Sequence, residues 1–518
     1  MQPIIGFDFG NFNSFTCFIL DFDTNTRMSG MVYDLLPPRL DEGIPSVYFY
    51  SKRVGESLVG ENAVRPRAVP VQNRLRYLKR HLGETITLDD RQISYDDAIV
   101  EVIQHCIRSA NKKLSAGWQV TTNLVSLSYP ATYTFAQRQR LIELVERATL
   151  EDNTKVKVFG TIAEPAAAAL DYLAEFAKSD KDTTVLTYDL GGGTFDLGLV
   201  SVYPKGRKNR ENKTYYYDII NTRGIANLGG AEFDEVLFQL LSSKLEKEIG
   251  TPLNATHITS IRSVVETTKV ELSTSEEEIV QVLVDGDYVD LPITREEFET
   301  ASKTLLMKTI SKTRELLQDH QNQKPEVILL TGGASQMPMV QRELEKAFPE
   351  YKGKIVYFRP SRAIAYGAAR FGTAEWSEEL DVKNAGTGVV QQRVMYDIGI
   401  RYFHGKDDID GHIRTFIKAG TETPCESAII SSTKVAPGRY TTFKVYEAIV
   451  QNPDSNKPDR DYTQILFVTV DHKKEVPKSH PSESKISVDA VGKLVVEARD
   501  TSKKNLPFEK AETKLNLG

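Results

Sequence analysis

The stretch Val185-Leu-Thr-Tyr-Asp189-Leu-Gly-Gly-Gly-Thr-Phe-Asp196 runs an apolar strand into an aspartate, three glycines, a threonine and a second acid. That order restricts the fold. The strand delivers Asp189 to a sheet edge, and Gly191, Gly192 and Gly193 let backbone N–H groups approach an anion without interference from a Cβ. Thr194 and Asp196 add oxygens beside the charge. A similar device opens the chain, in Ile4-Ile-Gly-Phe-Asp8-Phe-Gly10-Asn11-Phe12-Asn-Ser14. Two strand–aspartate–glycine turns about 180 residues apart predict an internal duplication that grips one phosphate chain from both sides.

The pattern around both turns is α/β. Ile4–Asp8, Thr16–Leu20 and Leu124–Ser128 read as buried strands in the first half, and Val185–Asp189, Leu197–Tyr203, Tyr215–Ile220 and Val327–Thr331 in the second. Ser94 with Asp97, Thr134 with Gln137, and Thr294 with Glu297 are spaced as helix capping boxes. Further helices are expected over Glu232–Ile249 and Ile258–Leu272. Helical pattern fades through Trp376–Glu379, and Asn384-Ala-Gly-Thr-Gly388 reads as a flexible joint. Beyond it, Arg393–Tyr402, Arg414–Lys418, Thr441–Val450, Ile465–Val470, Ile486–Val488 and Lys493–Ala498 alternate like strands, with Lys473–Glu483 an exposed loop and the tail after Lys503 loose. The expected organisation is a duplicated body over 1–375, in halves of about 1–183 and 184–372. A linker over 376–392 and an all-β domain over 393–518 follow, with no helical lid.

Composition narrows the function classes. Lys and Arg number 65 against 71 Asp and Glu, a net charge of −6 that gives no reason to expect nucleic acid. No apolar run approaches membrane-spanning length and the first residues lack the basic start of a signal peptide, so a cytoplasmic protein is expected. The three cysteines lie far apart without metal-ligand spacing, and the eight histidines are dispersed. His404 and His412 form the closest informative pair, and surface or loop positions are expected rather than a zinc site.

Three further segments join the two turns: the basic run Asn73-Arg-Leu-Arg-Tyr-Leu-Lys79-Arg80, the helix start Ala163-Glu164-Pro165-Ala, and Leu330-Thr-Gly332-Gly333-Ala334-Ser-Gln336-Met-Pro338. With Leu190-Gly-Gly-Gly-Thr-Phe-Asp196 and Ala365-Tyr-Gly-Ala-Ala369, their order resembles the heat-shock protein 70 chaperones of the actin-like ATPase superfamily. The resemblance is strong over about 1–372 and faint in the β domain. It implies an ATP- and ADP-binding body with an actin-like, ribonuclease-H-like fold in two lobes. Asp8 and Asp189 would face Mg2+, largely through water. Lys79 would sit near the γ-phosphate, Glu164 would position a metal-bound or attacking water, and Thr194 and Asp196 would complete that cluster. Gly10, Asn11, Phe12, Gly191, Gly192, Gly193, Gly229 and Gly230 would line the nucleotide. Glu266, Lys269 and Ser273 would hold adenosine hydroxyls and the base edge, with Gly332, Gly333, Ala334 and Gln336 at the ribose, α-phosphate and adenine. Pro130 and Arg138 match a pair that relays nucleotide state to the neighbouring β domain.

The resemblance thus implies an ATP-hydrolysing chaperone whose β domain holds an unfolded or specific client protein, with a co-chaperone or nucleotide-exchange partner. The chain departs from the pattern in informative places. Asn11-Phe12 replaces a pair of threonines in the first phosphate turn, and a lost hydroxyl there costs about 1–3 kcal/mol near the transition state. Slow hydrolysis is the expectation, and a nucleotide-gated scaffold with little turnover and one dedicated partner is the alternative. Gln336 and Val270 offer no cation to stack on adenine. Arg359-Pro360-Ser361-Arg362 reverses the charge of an acidic turn. Gly160 and Ala163 replace a basic residue and an asparagine, which speaks against an ordinary J-domain co-chaperone. Among linker residues only Val389-Val390 and Val394-Met395 are apolar enough to dock.

Overall fold

The computed structural model describes residues 3–20, 30–53, 55–64, 73–176, 181–208, 212, 214–380, 390–391, 393–394, 396–402, 411–423, 425–432, 438–449, 455–477, 480–488, 493–502 and 508–514. Two sheets, each with five strands in matching order, dominate the first 380 residues, and each gains a sixth strand, Ile44–Pro45 in the first and Val390–Gln391 in the second. In the first, the hairpin of Ile5–Phe9 and Asn13–Leu20 is extended by the parallel strands Leu124–Tyr129 and Lys157–Ala163 on one side and Met31–Asp34 on the other. In the second, the hairpin of Thr183–Leu190 and Thr194–Lys208 is flanked by the parallel strands Val327–Thr331 and Ile355–Tyr357, and by Thr214–Ala226. The central strands are apolar runs buried along most of their length, as strands covered on both faces must be. Each hairpin turn therefore carries an aspartate–glycine segment to the same end of its sheet, beside parallel strands.

The two sheets meet through two helices. Glu164–Phe176 packs on the second sheet and Ala363–Leu380 on the first, and the helices contact one another. Small residues make this possible. Ala166, Ala167, Ala168 and Ala169 run round a full turn of their helix and are all wholly buried, and a Cβ at Gly367 would overlap the backbone of Ala167. Gly6 and Gly372 likewise admit the Ala363–Leu380 helix to the first sheet, where added Cβ atoms would collide with Ala365, Ala369 and Ser126.

Two sheets, one of four strands and one of five, form the C-terminal region. One has the order His412–Ile417, Ile398–Tyr402, Gly438–Ala448, Tyr462–Val476. The other runs Cys425–Glu426, Ser482–Val488, Lys493–Asp500, Glu509–Lys514, with Ile430–Ser432 also paired to Ser482–Val488. Their inner faces share one core including Ile398, Phe443, Val445, Val468, Ile486, Leu494 and Val496.

Several expectations require correction. The helix from Ala363 runs to Leu380, through the residues where helical pattern was expected to fade, because nothing from Thr373 to Leu380 is proline or glycine. Ser94 starts its helix without a side-chain cap bond, whereas the boxes at Thr134 and Thr294 are formed in full. The segment Lys473–Glu483 is not simply an exposed loop: the strand continues to Val476, and Val476, His480 and Ser482 are buried. The tail holds a further strand, Glu509–Lys514, paired along Lys493–Ala498. The joint Asn384–Gly388 lies outside the described residues, as do His404, Val389 and Met395. Val390 pairs in parallel with Tyr217, and Val394 enters the core of the C-terminal sheets.

Candidate functional site

Both aspartate–glycine turns open onto one cavity of about 700 Å3. Of the residues expected at a nucleotide, Asp8, Gly10, Asn11, Phe12, Lys79, Glu164, Asp189, Gly191, Gly192, Gly193, Thr194 and Gly230 line it. Glu266, Lys269, Ser273, Gly332, Gly333, Ala334 and Gln336 line it as well. Asp196 and Gly229 stand behind this wall: Asp196 is fully buried opposite Asp189 in the hairpin register, and a Cβ at Gly229 would meet the Gly193 backbone nitrogen. Pro130 and Arg138 lie outside the cavity, towards the C-terminal sheets. Glu42, Thr274, Pro360 and Ser361 also face it. Pro360 and Ser361 belong to the turn of reversed charge, whereas no local motif marks Glu42 or Thr274, which the chain brings there from distant segments.

The deep end is a cluster of acids around a single lysine. Lys79 Nζ donates to Glu164 Oε1 at 2.7 Å, with both side chains almost fully buried. Burial alone would drive the proton off Lys79, but Glu164, Tyr133 and Asp8 outweigh it and hold the ammonium above its ordinary range. Ser128 Oγ donates to Asp8 Oδ1 at 2.8 Å. Burial, then the charge of Glu164, pushes the Asp8 carboxyl up to about 7. The same two causes bring Asp196 to about 7. Asp189 is pushed well above the carboxylate range by burial and by Glu164, Asp196 and Asp8. Like charges facing each other across a strand pair are destabilising, and Asp189 and Asp196 are such a pair.

That imbalance tests whether a divalent cation suits the residues present. Four buried carboxylates against one lysine leave excess negative charge, and Asp189 Oδ1 and Asn11 Oδ1 are buried without a hydrogen-bond partner. An all-oxygen donor set of this kind fits magnesium, with Asp8 and Asp189 the residues that would hold it.

The glycines of the second turn are covered by side chains of the first. A Cβ on Gly192 would fall inside the Phe12 ring, and one on Gly193 would overlap the Asn11 amide. Phe12 packs edge-on against Tyr77, with centroids 5.1 Å apart, and Lys269 Nζ lies 5.9 Å from its ring centre. Gly333 is different: a Cβ there would touch nothing within 4 Å. The basic run before Lys79 is not a solvated face. Arg80 donates to Glu232 at 2.8 and 2.9 Å and to the Gly193 carbonyl, and Arg76 donates to Glu266 at 2.6 Å, so both arginines tie the first half of the chain to the second. Lys269 is paired with Asp234 at 2.6 Å and donates to the Gly230 carbonyl at 3.2 Å. The reversed turn is answered locally, since Arg359 pairs with Asp171 and Glu175, and Arg362 with Asp34.

A second set of contacts joins this region to the C-terminal sheets. Arg138 Nη2 reaches both oxygens of Glu447, at 2.8 and 2.9 Å, with neither side chain more than 3% exposed. Tyr396 donates to the Ala131 carbonyl at 3.1 Å, and Arg393 donates to Asp218 at 2.8 and 3.0 Å. Pro130 is buried in the same segment, and its carbonyl accepts from the Tyr133 amide. Tyr133 in turn donates to the Lys79 carbonyl at 3.1 Å. Residues 130–133 therefore touch the cavity wall on one side and the C-terminal sheets on the other. Sequence reasoning found Arg138 but not its partner, because no pattern in a strand singles out the acid that will be buried.

The sequence model of the Hsp70 protein family matches residues 99–505, a span that takes in the second turn, the Glu164 helix, the Gly332-Gly333 segment and most of the C-terminal sheets. The first turn and Lys79 precede it. With well over half of its length matched, the chain belongs to the Hsp70 family, whose members are nucleotide-binding, chaperone-type ATPases with an actin-like fold and a β-rich domain.

Proposed function

We propose that this chain binds ATP between the two lobes of its body, hydrolyses it slowly, and couples nucleotide state to what the β-rich domain holds. The observation that carries the reading is the shared cavity, with buried acids at one end and backbone-exposing glycines of two turns around them. Triphosphate would lie along this turn, where the N–H groups of Gly192 and Gly193 would be the donors, the Gly191 N–H being bonded to the Thr194 carbonyl. Magnesium, when bound, supplies neutralising charge at the phosphate oxygens. Glu164 orients the attacking water and takes up its proton, while Lys79 keeps a fixed positive charge beside the acids. Asp8 is held in place by Ser128, and Asp196 backs the same cluster. Catalysis of this type rests on positioning and electrostatics.

Slow turnover follows from the first turn. Phe12 occupies the face of Gly192, so the phosphate chain meets an aromatic edge where a hydroxyl would donate. Single-turnover cleavage of ATP by purified protein tests the whole reading: ADP formation that Glu164→Ala abolishes supports it, and ATP retained intact in both proteins rejects hydrolysis. That last outcome, with nucleotide still bound, is the one the scaffold reading expects. Phe12 is the observation in its favour.

Coupling would run through residues 130–133 and the Arg138–Glu447 pair. Removing one partner of a buried ion pair costs about 3–5 kcal/mol. Glu447→Gln should therefore loosen the β-rich domain from the body and make its protease sensitivity independent of nucleotide. If ATP still shifts the proteolysis pattern of that variant as in the wild type, the relay does not pass through this pair. A client protein, and a co-chaperone or exchange partner, complete the proposed cycle. Among the described residues no helix is long and apolar enough to cross a membrane.

A further inference from the structure

The C-terminal sheets bury a polar cluster that the nucleotide chemistry does not use. His472 lies on the strand Tyr462–Val476, Asp500 ends the strand Lys493–Asp500, and His480 precedes the strand Ser482–Val488. Strand register places Ser482 opposite Asp500, so the chain entering this strand passes beside the aspartate. Asp500 Oδ2 is 2.8 Å from His472 Nδ1 and 2.7 Å from His480 Nε2. The three donor atoms all lie within 4.8 Å of one another, and all three residues are buried. The imidazole rings meet edge to face at 4.8 Å. Both imidazoles thus converge on one oxygen of one buried carboxylate at the end of a strand.

We propose that His472 Nδ1, His480 Nε2 and Asp500 Oδ2 form a site for a divalent transition-metal ion of the zinc type. The donor chemistry is right: two imidazole nitrogens and one carboxylate oxygen suit zinc, and water completes a tetrahedron. The surroundings are those of a built site. The far nitrogen of His472 sits 2.8 Å from Thr441 Oγ1, the outer hydrogen bond that fixes which imidazole nitrogen faces an ion. Asp500 Oδ1 accepts from the Ser502 amide at 2.8 Å, so Oδ2 is turned to the histidines. Zinc at about 2.0–2.2 Å from each atom sets tetrahedral donor separations of roughly 3.3–3.6 Å, so each carboxylate–imidazole pair would open by more than half an ångström while the two imidazole nitrogens draw together. The ion ties three segments, around residues 472, 480 and 500, at one end of the β-rich domain. It acts there as a structural staple.

The test uses the full-length protein, stripped with a chelator and freed of it, and zinc chloride as the probe. One zinc per chain by elemental analysis, with a rise in melting temperature that chelator reverses, is the expected result. His480→Gln is the discriminating variant, because glutamine keeps a hydrogen-bond donor for Asp500 and preserves the fold while removing the imidazole. It should melt like the stripped wild type and lose zinc affinity by tenfold or more in calorimetry. His472→Ala should also lose the zinc response. Stripped wild type that takes up no zinc overturns the proposal and leaves a hydrogen-bonded knot in its place. Zinc stabilising His480→Gln as strongly as wild type also overturns it, because the ion would then be bound elsewhere, for instance among the acids of the nucleotide cavity.

Discussion

The two aspartate–glycine turns occupy equivalent places in two sheets of the same topology, yet they are built in opposite ways. The second, at 191–193, is bare backbone. The first, at 10–12, carries an amide and an aromatic ring, and both lie over the glycines of its counterpart. The aspartates differ as well. Asp8 has Ser128 as a hydrogen-bond donor and Phe15 opposite it, whereas Asp189 faces a second acid across the hairpin and has one oxygen without a partner. A duplicated device has been divided into one half that exposes donors and concentrates charge, and another that covers and restrains it. The family match, which begins at residue 99, lies wholly beyond the divergent turn.

The sharpest challenge to this division is Asp189→Asn against Asp8→Asn. Asp189→Asn should lower single-turnover ATP cleavage by about a hundredfold, with Asp8→Asn the milder because Ser128 still holds an asparagine there. Equal losses would remove the asymmetry. Next comes the interlock. Gly192→Ala should destabilise the protein by roughly 1–3 kcal/mol in chemical denaturation, because its methyl collides with the Phe12 ring. Combining it with Phe12→Ala should recover most of that loss. Without recovery, the contact is not what keeps residue 192 a glycine. Gly333→Ala is the matching control, expected within about 0.5 kcal/mol of wild type.

Phe12→Thr should speed cleavage by roughly tenfold if the ring restrains chemistry, the equivalent of about 1.4 kcal/mol. An unchanged rate would leave Phe12 a packing residue. Stability should also depend on pH. Burial raises the carboxyls of Asp8 and Asp196 to about 7, so the folded state favours their protonated forms. The stability they contribute is present below about pH 4 and is lost as pH rises through about 7. Melting of the nucleotide-free protein should fall more steeply between pH 5 and 8 in the wild type than in Asp8→Asn. Parallel slopes would show that Asp8 is not the titrating group.

What could be read from the residues alone follows from the range of the interactions involved. The hairpin aspartates, the glycine turns and the boxes at Thr134 and Thr294 depend on neighbours a few positions away, and they were legible. So was the gathering of glycines and acids into one place, once the repeated turn was seen. The pairing of Arg76 with Glu266 and of Arg80 with Glu232 was not, because a charge in a basic run looks the same whether its partner is water or a distant helix. His472 and His480 fall among the eight histidines that read as dispersed along the chain. Their meeting depends on a strand that continues to Val476 and on Asp500 arriving from another hairpin. The helix persisting to Leu380 and the strand at Glu509–Lys514 failed to announce themselves for a related reason: polar residues at an element's end carry little periodicity.

The seam at Gly367 bears on how such a cavity can open. With the Ala167 backbone resting where a Cβ would stand, the helices Glu164–Phe176 and Ala363–Leu380 touch backbone to backbone at Gly367, and Arg370 of one donates to Asp171 of the other. They form a bearing surface. Separation there would expose a file of alanines to water, while swivelling about it would keep them dry and swing the distant arginine latches through the widest arc. A bulkier residue at 367 would wedge this pivot, and its damage should surface at the mouth of the cavity.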